Sequence, residues 1–413
     1  MTNPLAGPPQ YGTSQPLGAF DSQRLQLLTA PQALADAADF ITAMRRQYKC
    51  SGSDGEPRCP VVTVGGSYPG WLSMAMRLRY PNVVDVAYAG SAPMRFYSQE
   101  VGQYDYYRVV TDSAARANAS CPDAVREMLG KTLGLPGVTK AQITAGLNMC
   151  SPLPQYLEDG DAHLLVDEVS MVATYTFANL NMANYPPTQN TGLATACAMI
   201  VEKVASDPWG TLAAFLSGYS AAPGALGHRS GVTAALTARA LRADACYEIA
   251  SQVPSGANGT ISCGDWSGCG SGDNGASWDF ETCSLLVEQI GMSGITDMFL
   301  PRDWTLDWMN DHCTARFGVV PRPYELADLW GFSSDRLAGV ASRIIFTNGL
   351  NDGWSAGGIL VNLSDTLLAF NMPNGAHHSD INHLWPDPAT DTPDVTATRE
   401  AVASIIEQWL AAL

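Results

Sequence analysis

The sequence is poor in charged residues and especially poor in basic ones. Only 15% of its 413 residues are charged, and 23 lysines and arginines stand against 40 acidic residues, which gives a net charge of −17 and a pI of about 4.6. Nucleic acids and anionic membrane surfaces are bound through basic patches, so we expect neither as a partner. With 46% hydrophobic residues, the chain is still long enough to bury a large core.

Long apolar runs and metal-binding motifs are also missing. No stretch of 18 apolar residues occurs, and the first residues, MTNPLAGPPQYGTSQPLGAF, contain neither the basic nor the apolar segment of a secretory signal. No Cys-x-x-Cys pair and no cysteine–histidine cluster with zinc-ligand spacing is present. We therefore predict no metal and no other cofactor.

The ten cysteines favour disulfides instead. Cys50 and Cys59 bracket the polar loop CSGSDGEPRC, and Cys263 and Cys269 bracket CGDWSGC, so both pairs are predicted to be short local bridges. Three N-glycosylation sequons begin at Asn118, Asn258 and Asn362. These features predict a secreted or lysosomal/vacuolar protein, and because no signal peptide is present, we expect an N-terminally truncated form of a longer chain.

Hydrophobic periodicity predicts a βαβ unit in the first hundred residues. A helix is predicted over 29–48, a buried strand over 60–67, a second helix that ends at Pro81 and a second strand over 83–93. Two strands joined by a crossover helix imply a parallel sheet that is buried on both faces.

The strand pattern is interrupted and then returns near the C-terminus. Buried-strand signals recur in 343–358 and 366–380, and an amphipathic helix ends the chain. We therefore predict an α/β core formed by 1–99 and 331–413, with 100–330 as an inserted helical cap.

The stretch VVTVGGSYPGW predicts a strand, a sharp turn and a helix start around Ser67. A serine on such a turn has its hydroxyl raised above the sheet beside the free N–H groups of the helix. The usual Gly-x-Ser-x-Gly pattern reads G-G-S-Y-P here, with the glycine delayed to Gly70. Proline suits the first helical turn, and although this position usually packs close to a neighbouring strand, we predict a working nucleophile turn with Pro69 in place. The Tyr68 N–H is the predicted oxyanion donor.

Partners for a serine nucleophile are predicted at the ends of the last two strands. The six histidines fall into an insertion group and a C-terminal group: His163, His228 and His312, and then His377, His378 and His383. The final strand leads into NGAHHSD, and the strand before it leads to Asp352. A serine, an aspartate and a histidine in this order are what an α/β-hydrolase requires.

Five stretches resemble the serine carboxypeptidase S28 family: GGSYPGWLSMAMRLRYPNVVDVAYAGSAP, SWDFETC, FGVVPRP, FTNGLNDGWSAGGI and GAHHSD. The resemblance runs from about Tyr11 to the C-terminus. It implies an α/β-hydrolase core in which Ser67 is the nucleophile, Asp352 orients the base and His377 is the base, with His378 in a supporting or packing role. It also implies a serine-type peptidase that cleaves proline-containing peptides through an acyl-enzyme. We expect an exopeptidase, either a carboxypeptidase or a dipeptidyl peptidase, and internal cleavage stays open as an alternative.

The same resemblance implies further features of the site and the scaffold. Trp71 and Trp354 are candidates to line an aromatic-walled proline pocket, although core packing explains either ring equally well. A homodimer is implied as well. Three more disulfides are implied: Cys121 with Cys197, Cys150 with Cys246, and Cys283 with Cys313.

Two other interpretations of the function stay open. An esterase or lipase of the same fold would share the triad, but it would usually show a His-Gly oxyanion motif and an apolar lid. An inactive homologue would have lost a triad residue, and none is lost. Since no convincing strand precedes the strand over 60–67 that leads to Ser67, we also expect about four parallel strands, a bare sheet edge at the nucleophile strand and only half of an oxyanion hole.

Overall fold

The protein is described here by a computed structural model. It covers residues 11, 14, 22–53, 55–219, 246–249, 263, 264, 266–268, 272–381 and 386–413. Two compact units are present. The α/β unit combines Met1–Val101, Ser284–Glu288 and Pro321–Leu413, and the helical unit combines Gly102–Cys283 and Gln289–Val320.

Four strands and fifteen α-helices are named among the described residues. The strands are β1 (Val62–Gly66), β2 (Val86–Gly90), β3 (Ile344–Gly349) and β4 (Leu367–Met372). The helices, in chain order, are α1 (Ala30–Gln47), α2 (Tyr68–Arg79), α3 (Met94–Tyr97), α4 (Asp105–Ala117), α5 (Cys121–Gly130), α6 (Lys140–Gly146), α7 (Gln155–Asp159), α8 (Ala162–Met182), α9 (Gly192–Lys203), α10 (Pro208–Tyr219), α11 (Gly272–Thr282), α12 (Leu306–Phe317), α13 (Glu325–Trp330), α14 (Leu337–Val340) and α15 (Pro393–Ala411). Short 3-10 helices span Ser22–Leu27 and Gly353–Gly357.

The strands form one parallel sheet in the order β1-β2-β3-β4. Every residue of β2 and β3 is buried, which agrees with their unbroken apolar runs. The α/β class and the parallel sheet predicted from the sequence are therefore confirmed. Within the described part of the chain, β1 pairs only with β2, and Val64 on this edge strand is 58% exposed.

Helices cover the two faces of the sheet. On one face, Ser73 of α2 donates through its hydroxyl to the Thr63 carbonyl of β1 (3.0 Å). On the other face, Val402 of α15 packs with Tyr88 and Ile345 of the central strands. Arg77 of α2 donates to the Ser342 carbonyl just before β3 (2.9 Å), so helix and sheet are joined across 265 positions of sequence.

The α1 helix begins where the sequence predicts. The Thr29 hydroxyl accepts a hydrogen bond from the Gln32 N–H (3.3 Å), and Pro31 occupies the first turn, where its missing N–H costs no bond. The predicted helix over 29–48 thus corresponds to Ala30–Gln47 with a threonine cap.

Disulfides tie sequence-distant segments of the helical unit. Cys121–Cys197 joins the start of α5 to α9, and the Cα atoms lie 5.2 Å apart. The pairings present are Cys50–Cys59, Cys121–Cys197, Cys150–Cys246 and Cys283–Cys313. All four match the predictions. Cys263 is buried, and its predicted partner Cys269 lies outside the described residues.

Of the described helices, none has the length and apolarity needed to cross a membrane.

Candidate active site

Ser67 lies at the junction of β1 and α2 in a strained backbone conformation. Its φ of 64° and ψ of −136° are rare for a residue with a side chain. The Ser67 N–H donates to the Gly90 carbonyl (2.8 Å), and its own carbonyl accepts from the N–H of Gly70 (2.8 Å). This is the strand–turn–helix geometry that the sequence predicts for a nucleophilic serine.

The glycines around Ser67 explain why Pro69 is tolerated. A Cβ on Gly70 would lie 2.7 Å from the Gly90 carbonyl oxygen, and a Cβ on Gly65 would lie 2.0 Å from the Pro69 carbonyl oxygen. Pro69 itself is exposed and stands in the first turn of α2. Pro69 is therefore accommodated, because in this turn the residue that packs against the next strand is Gly70.

Asp352 and His377 form a buried pair beyond the ends of β3 and β4. The Asp352 Oδ2 atom lies 2.6 Å from Nδ1 of His377, and Oδ1 accepts a hydrogen bond from the Trp354 N–H (3.1 Å). The Asp352 side chain is fully buried and that of His377 is 10% exposed. A carboxylate bonded to Nδ1 fixes the imidazole tautomer and orientation and leaves Nε2 for proton transfer.

The histidine loop touches the Ser67 turn through His378 and Ile381. A Cβ on Gly66 would lie 2.7 Å from Cγ of His378 and 2.9 Å from Cδ1 of Ile381, so only glycine fits there. The His378 N–H donates to the Ser91 hydroxyl (2.9 Å). Because Ser67 is bonded to Gly90, the end of β2 holds both the serine turn and the histidine loop. Sequence analysis missed Gly66, whose role depends on this approach.

Both candidate pocket tryptophans lie in aromatic clusters of the α/β unit. The Trp71 ring is fully buried, stacks on Trp330 at 5.7 Å and meets Tyr97 edge-on at 5.4 Å. Trp354 is 6% exposed and packs edge-on against Phe96 at 5.5 Å. These positions fit the core-packing interpretation, and a contact with substrate stays a prediction.

Two of the other histidines lie beside aspartates of the helical unit. His163 is exposed on α8, 3.5 Å from Asp167, and His312 pairs with Asp279 in the helical unit. His228 and His383 lie outside the described residues. Sequence analysis thus selected the histidine that pairs with Asp352.

One cluster in the described structure has the side chains of a metal site. Ligand atoms of Asp279, Cys283 and His312 lie within 4.8 Å of one another. However, Cys283 is bonded to Cys313, and Asp279 receives bonds from His312 (2.9 Å) and from Arg316. A disulfide sulfur is a poor metal ligand, and the carboxylate is already neutralised. The donor set does not fit a metal ion.

Two of the three predicted glycosylation sites are described. Asn362 is exposed, and its side-chain oxygen accepts from the Ala369 N–H (2.8 Å). Asn118 is partly buried at the end of α4, where its side-chain oxygen accepts from the Ser120 N–H (3.1 Å). Asn258 lies outside the described residues.

A second buried carboxyl, Asp380, lies three residues after His377. The Tyr88 hydroxyl donates to its Oδ2 atom. Burial raises the pKa of Asp380 above its ordinary value, and burial, followed by the neighbouring carboxylate, raises the pKa of Tyr88. The tyrosine therefore remains protonated and acts as the donor. The two residues are 292 positions apart, so no local pattern could have indicated their contact.

Comparison with known proteins places the chain among peptidases. The Serine carboxypeptidase S28 family matches residues 10–402. The Lysosomal Pro-X carboxypeptidase of Bos taurus is 29% identical over 97% of this chain and 72% of its own length, and that of Homo sapiens is 28% identical over 97% and 73%. The Thymus-specific serine protease of Mus musculus is 24% identical over 97% and 72%.

Proposed function

Because the chain belongs to the serine carboxypeptidase S28 family, we propose that it is a serine exopeptidase that cleaves proline-containing peptides through the triad Ser67, Asp352 and His377. The observation that carries this proposal is the buried pair in which Oδ2 of Asp352 lies 2.6 Å from Nδ1 of His377. The loop that contains His377 packs on the strained turn of Ser67. The prolyl specificity is supported by the name of the relatives, Pro-X carboxypeptidase.

In the proposed reaction, His377 acts first as base and then as acid. Its Nε2 atom takes the proton of the Ser67 hydroxyl as the serine oxygen attacks the peptide carbonyl. Asp352 stabilises the imidazolium, and the Tyr68 N–H donates to the oxyanion. The proton passes to the leaving amine, which leaves an ester on Ser67. Water, deprotonated by His377, then cleaves the ester and releases the acid.

The proposed substrate is a peptide with proline at the residue whose carbonyl is attacked. A proline ring favours flat aromatic walls. Trp354 is the better candidate for a direct contact, because it is 6% exposed and lies two residues after Asp352, whereas Trp71 is fully buried. Trp71 would then support the pocket from behind. Cleavage of one C-terminal residue and release of an N-terminal dipeptide are both compatible with this chemistry.

We also propose a secreted, lysosomal or vacuolar location and a homodimer. The described disulfides are typical of proteins that fold in an oxidising compartment. The relatives named above include proteins called lysosomal, which supports the same location.

A fluorophosphonate probe and a peptide panel test this proposal together. We expect the protein to be labelled and to cleave proline-containing peptides, assayed at acidic and at neutral pH, and we expect Ser67→Ala to lose both properties. Ser206→Ala, at an exposed serine of the helical unit, serves as the matched control. Labelling that persists in Ser67→Ala would refute the assignment. Hydrolysis of a short-chain ester without cleavage of any prolyl peptide would favour the esterase alternative.

A further inference from the structure

The loop that carries His377 is held by backbone bonds from several directions. The Gly375 carbonyl accepts from the Asn351 N–H (3.0 Å), and the Ala376 N–H donates to the Ser379 hydroxyl (2.8 Å). Arg399 of α15 donates to the carbonyls of Ser379 (2.9 Å) and Asp380 (2.8 Å). These bonds fix the course of the chain on both sides of His377.

Inside this loop, one residue is held in an unfavourable conformation. His378 has a φ of 39°, in the left-handed region that residues other than glycine rarely adopt. Such a conformation persists only when the surroundings enforce it. The bond from the His378 N–H to the Ser91 hydroxyl is one such constraint, and the bonds from Arg399 to the two following carbonyls are others.

Asp380 and Tyr88 form a further contact between this loop and β2, two residues after His378. Asp380 is 4% exposed and Tyr88 is 7% exposed, and the tyrosine hydroxyl donates to the carboxyl. Arg399 donates to the Asp391 carboxylate and to the two loop carbonyls, and not to the Asp380 carboxyl. The Tyr88 hydroxyl, from β2, does donate to that carboxyl. Thr347 of β3 also faces the pair.

The position of Tyr88 connects this pair to the serine turn. Tyr88 lies two residues before Gly90, whose carbonyl accepts the Ser67 N–H, and three residues before Ser91, which holds His378. A single strand end therefore anchors the serine on one side and the histidine loop on the other. A shift of Asp380 away from Tyr88 would move the loop relative to Ser67.

We propose that Tyr88 and Asp380 form a positioning pair that holds the His377 loop in its position against the Ser67 turn. This inference rests on the proposed function, because it takes Ser67 and His377 as the reacting groups. Neither member of the pair takes part in proton transfer. The pair acts through the geometry of His377, so its loss should reduce the rate of the chemical step more than the binding of substrate.

Tyr88→Phe removes the hydroxyl and leaves Asp380 buried without that donor. We expect kcat and the rate of fluorophosphonate labelling to fall roughly 10- to 100-fold per folded molecule, with KM within about twofold of the wild type. Tyr107→Phe is the matched control, because it removes a buried tyrosine hydroxyl that donates to the Trp266 carbonyl in the helical unit. If both variants lower the melting temperature alike and neither changes kcat, the pair is only structural and the proposal fails.

Replacements of Asp380 separate the hydrogen bond from the charge. Asp380→Asn keeps an oxygen that accepts from Tyr88, so we expect activity within a fewfold of the wild type. Asp380→Leu removes the acceptor, and we expect the same loss as in Tyr88→Phe. If Asp380→Asn is as impaired as Asp380→Leu while both remain folded, the hydrogen bond is not the positioning element and the proposal is overturned.

The wild-type protein distinguishes failure of this inference from failure of the proposed function. Without wild-type peptidase activity and probe labelling, the proposed function itself is refuted. With both present and lost in Ser67→Ala, an unchanged Tyr88→Phe refutes the positioning pair alone.

Discussion

The α/β unit and the helical unit each contain a buried aspartate–histidine pair, and the two pairs differ in their surroundings. In the α/β unit, Asp352 lies 2.6 Å from His377 and no arginine joins them in the described structure. In the helical unit, Asp279 lies 2.9 Å from His312 and also binds Arg316. The side chains are about equally buried, so burial and pairing do not by themselves mark a catalytic site.

The residues around His312 and His377 distinguish the two pairs. His312 stacks on Trp308 at 5.1 Å with the ring planes 13° apart, and its Nε2 atom is the one that faces Asp279. His377 meets Asp352 through Nδ1, and its loop packs on the serine turn. The third charged group beside Asp279 fits a structural role for the helical pair, whereas the nearby serine turn fits the catalytic role proposed for Asp352 and His377.

The largest expected effect comes from Asp352→Asn. The amide would disturb the tautomer of His377 and would not stabilise the imidazolium, so we expect kcat to fall by up to ~10⁴-fold with the protein still folded. Steady-state kinetics on a prolyl peptide, together with circular dichroism, measure both quantities. A loss smaller than tenfold would remove Asp352 from the triad.

Asp279→Asn should show the opposite behaviour. It leaves the buried Arg316 without its carboxylate, and breaking such a buried pair typically costs about 3–5 kcal/mol of stability. We expect a lower denaturation midpoint and an unchanged kcat for the folded fraction. A loss of kcat without a loss of stability would show that the helical pair also serves catalysis.

The two units also differ in their disulfides. Disulfides in the helical unit close loops with sequence separations of 76, 96 and 30, whereas Cys50–Cys59 in the α/β unit closes one of 9. In the α/β unit the sheet itself joins distant segments. Replacing Cys121 and Cys197 by serine should therefore destabilise the protein by about 2–4 kcal/mol, and replacing Cys50 and Cys59 by less. Thermal unfolding of the two double variants tests this order.

The smallest expected effect is a pH dependence from Asp380. Its pKa is raised in the folded state, so the folded protein binds the proton more tightly than the unfolded chain. The stabilising effect of protonation is present below the unfolded pKa and is lost as the pH rises through the folded pKa. We expect the melting temperature of Asp380→Asn, relative to that of the wild type, to increase from pH 4 to pH 7. A constant difference would contradict a raised pKa.

The features of the candidate site that depend on local sequence pattern could be predicted from the sequence. Ser67 was found from a strand that runs into glycines, and Asp352 and the pair His377 and His378 from the residues that follow two buried strands. The family resemblance then selected His377. The parallel sheet followed from the same apolar runs. These features depend on residues close together in the chain, where periodicity and turn chemistry are strong signals.

The parts that sequence reasoning missed depend on approaches between distant segments. Gly66 must be glycine because His378 lies against it, and Asp380 meets Tyr88 across 292 positions. The ion pairs of Asp279 likewise join two helices of the helical unit. That Gly70, and not Pro69, packs against the next strand is likewise visible only in the folded turn.

The 265 positions between Arg77 and Ser342 also set the order in which a newly made chain matures. At ~5–20 residues per second, β2 waits roughly 10–50 s on the ribosome before β3 emerges. The segments of the helical unit emerge almost entirely within that interval, so its cross-links can form first. Ser67 emerges before that interval and its proposed partners Asp352 and His377 emerge after it, so the nascent chain cannot assemble the proposed triad while the helical unit is being made.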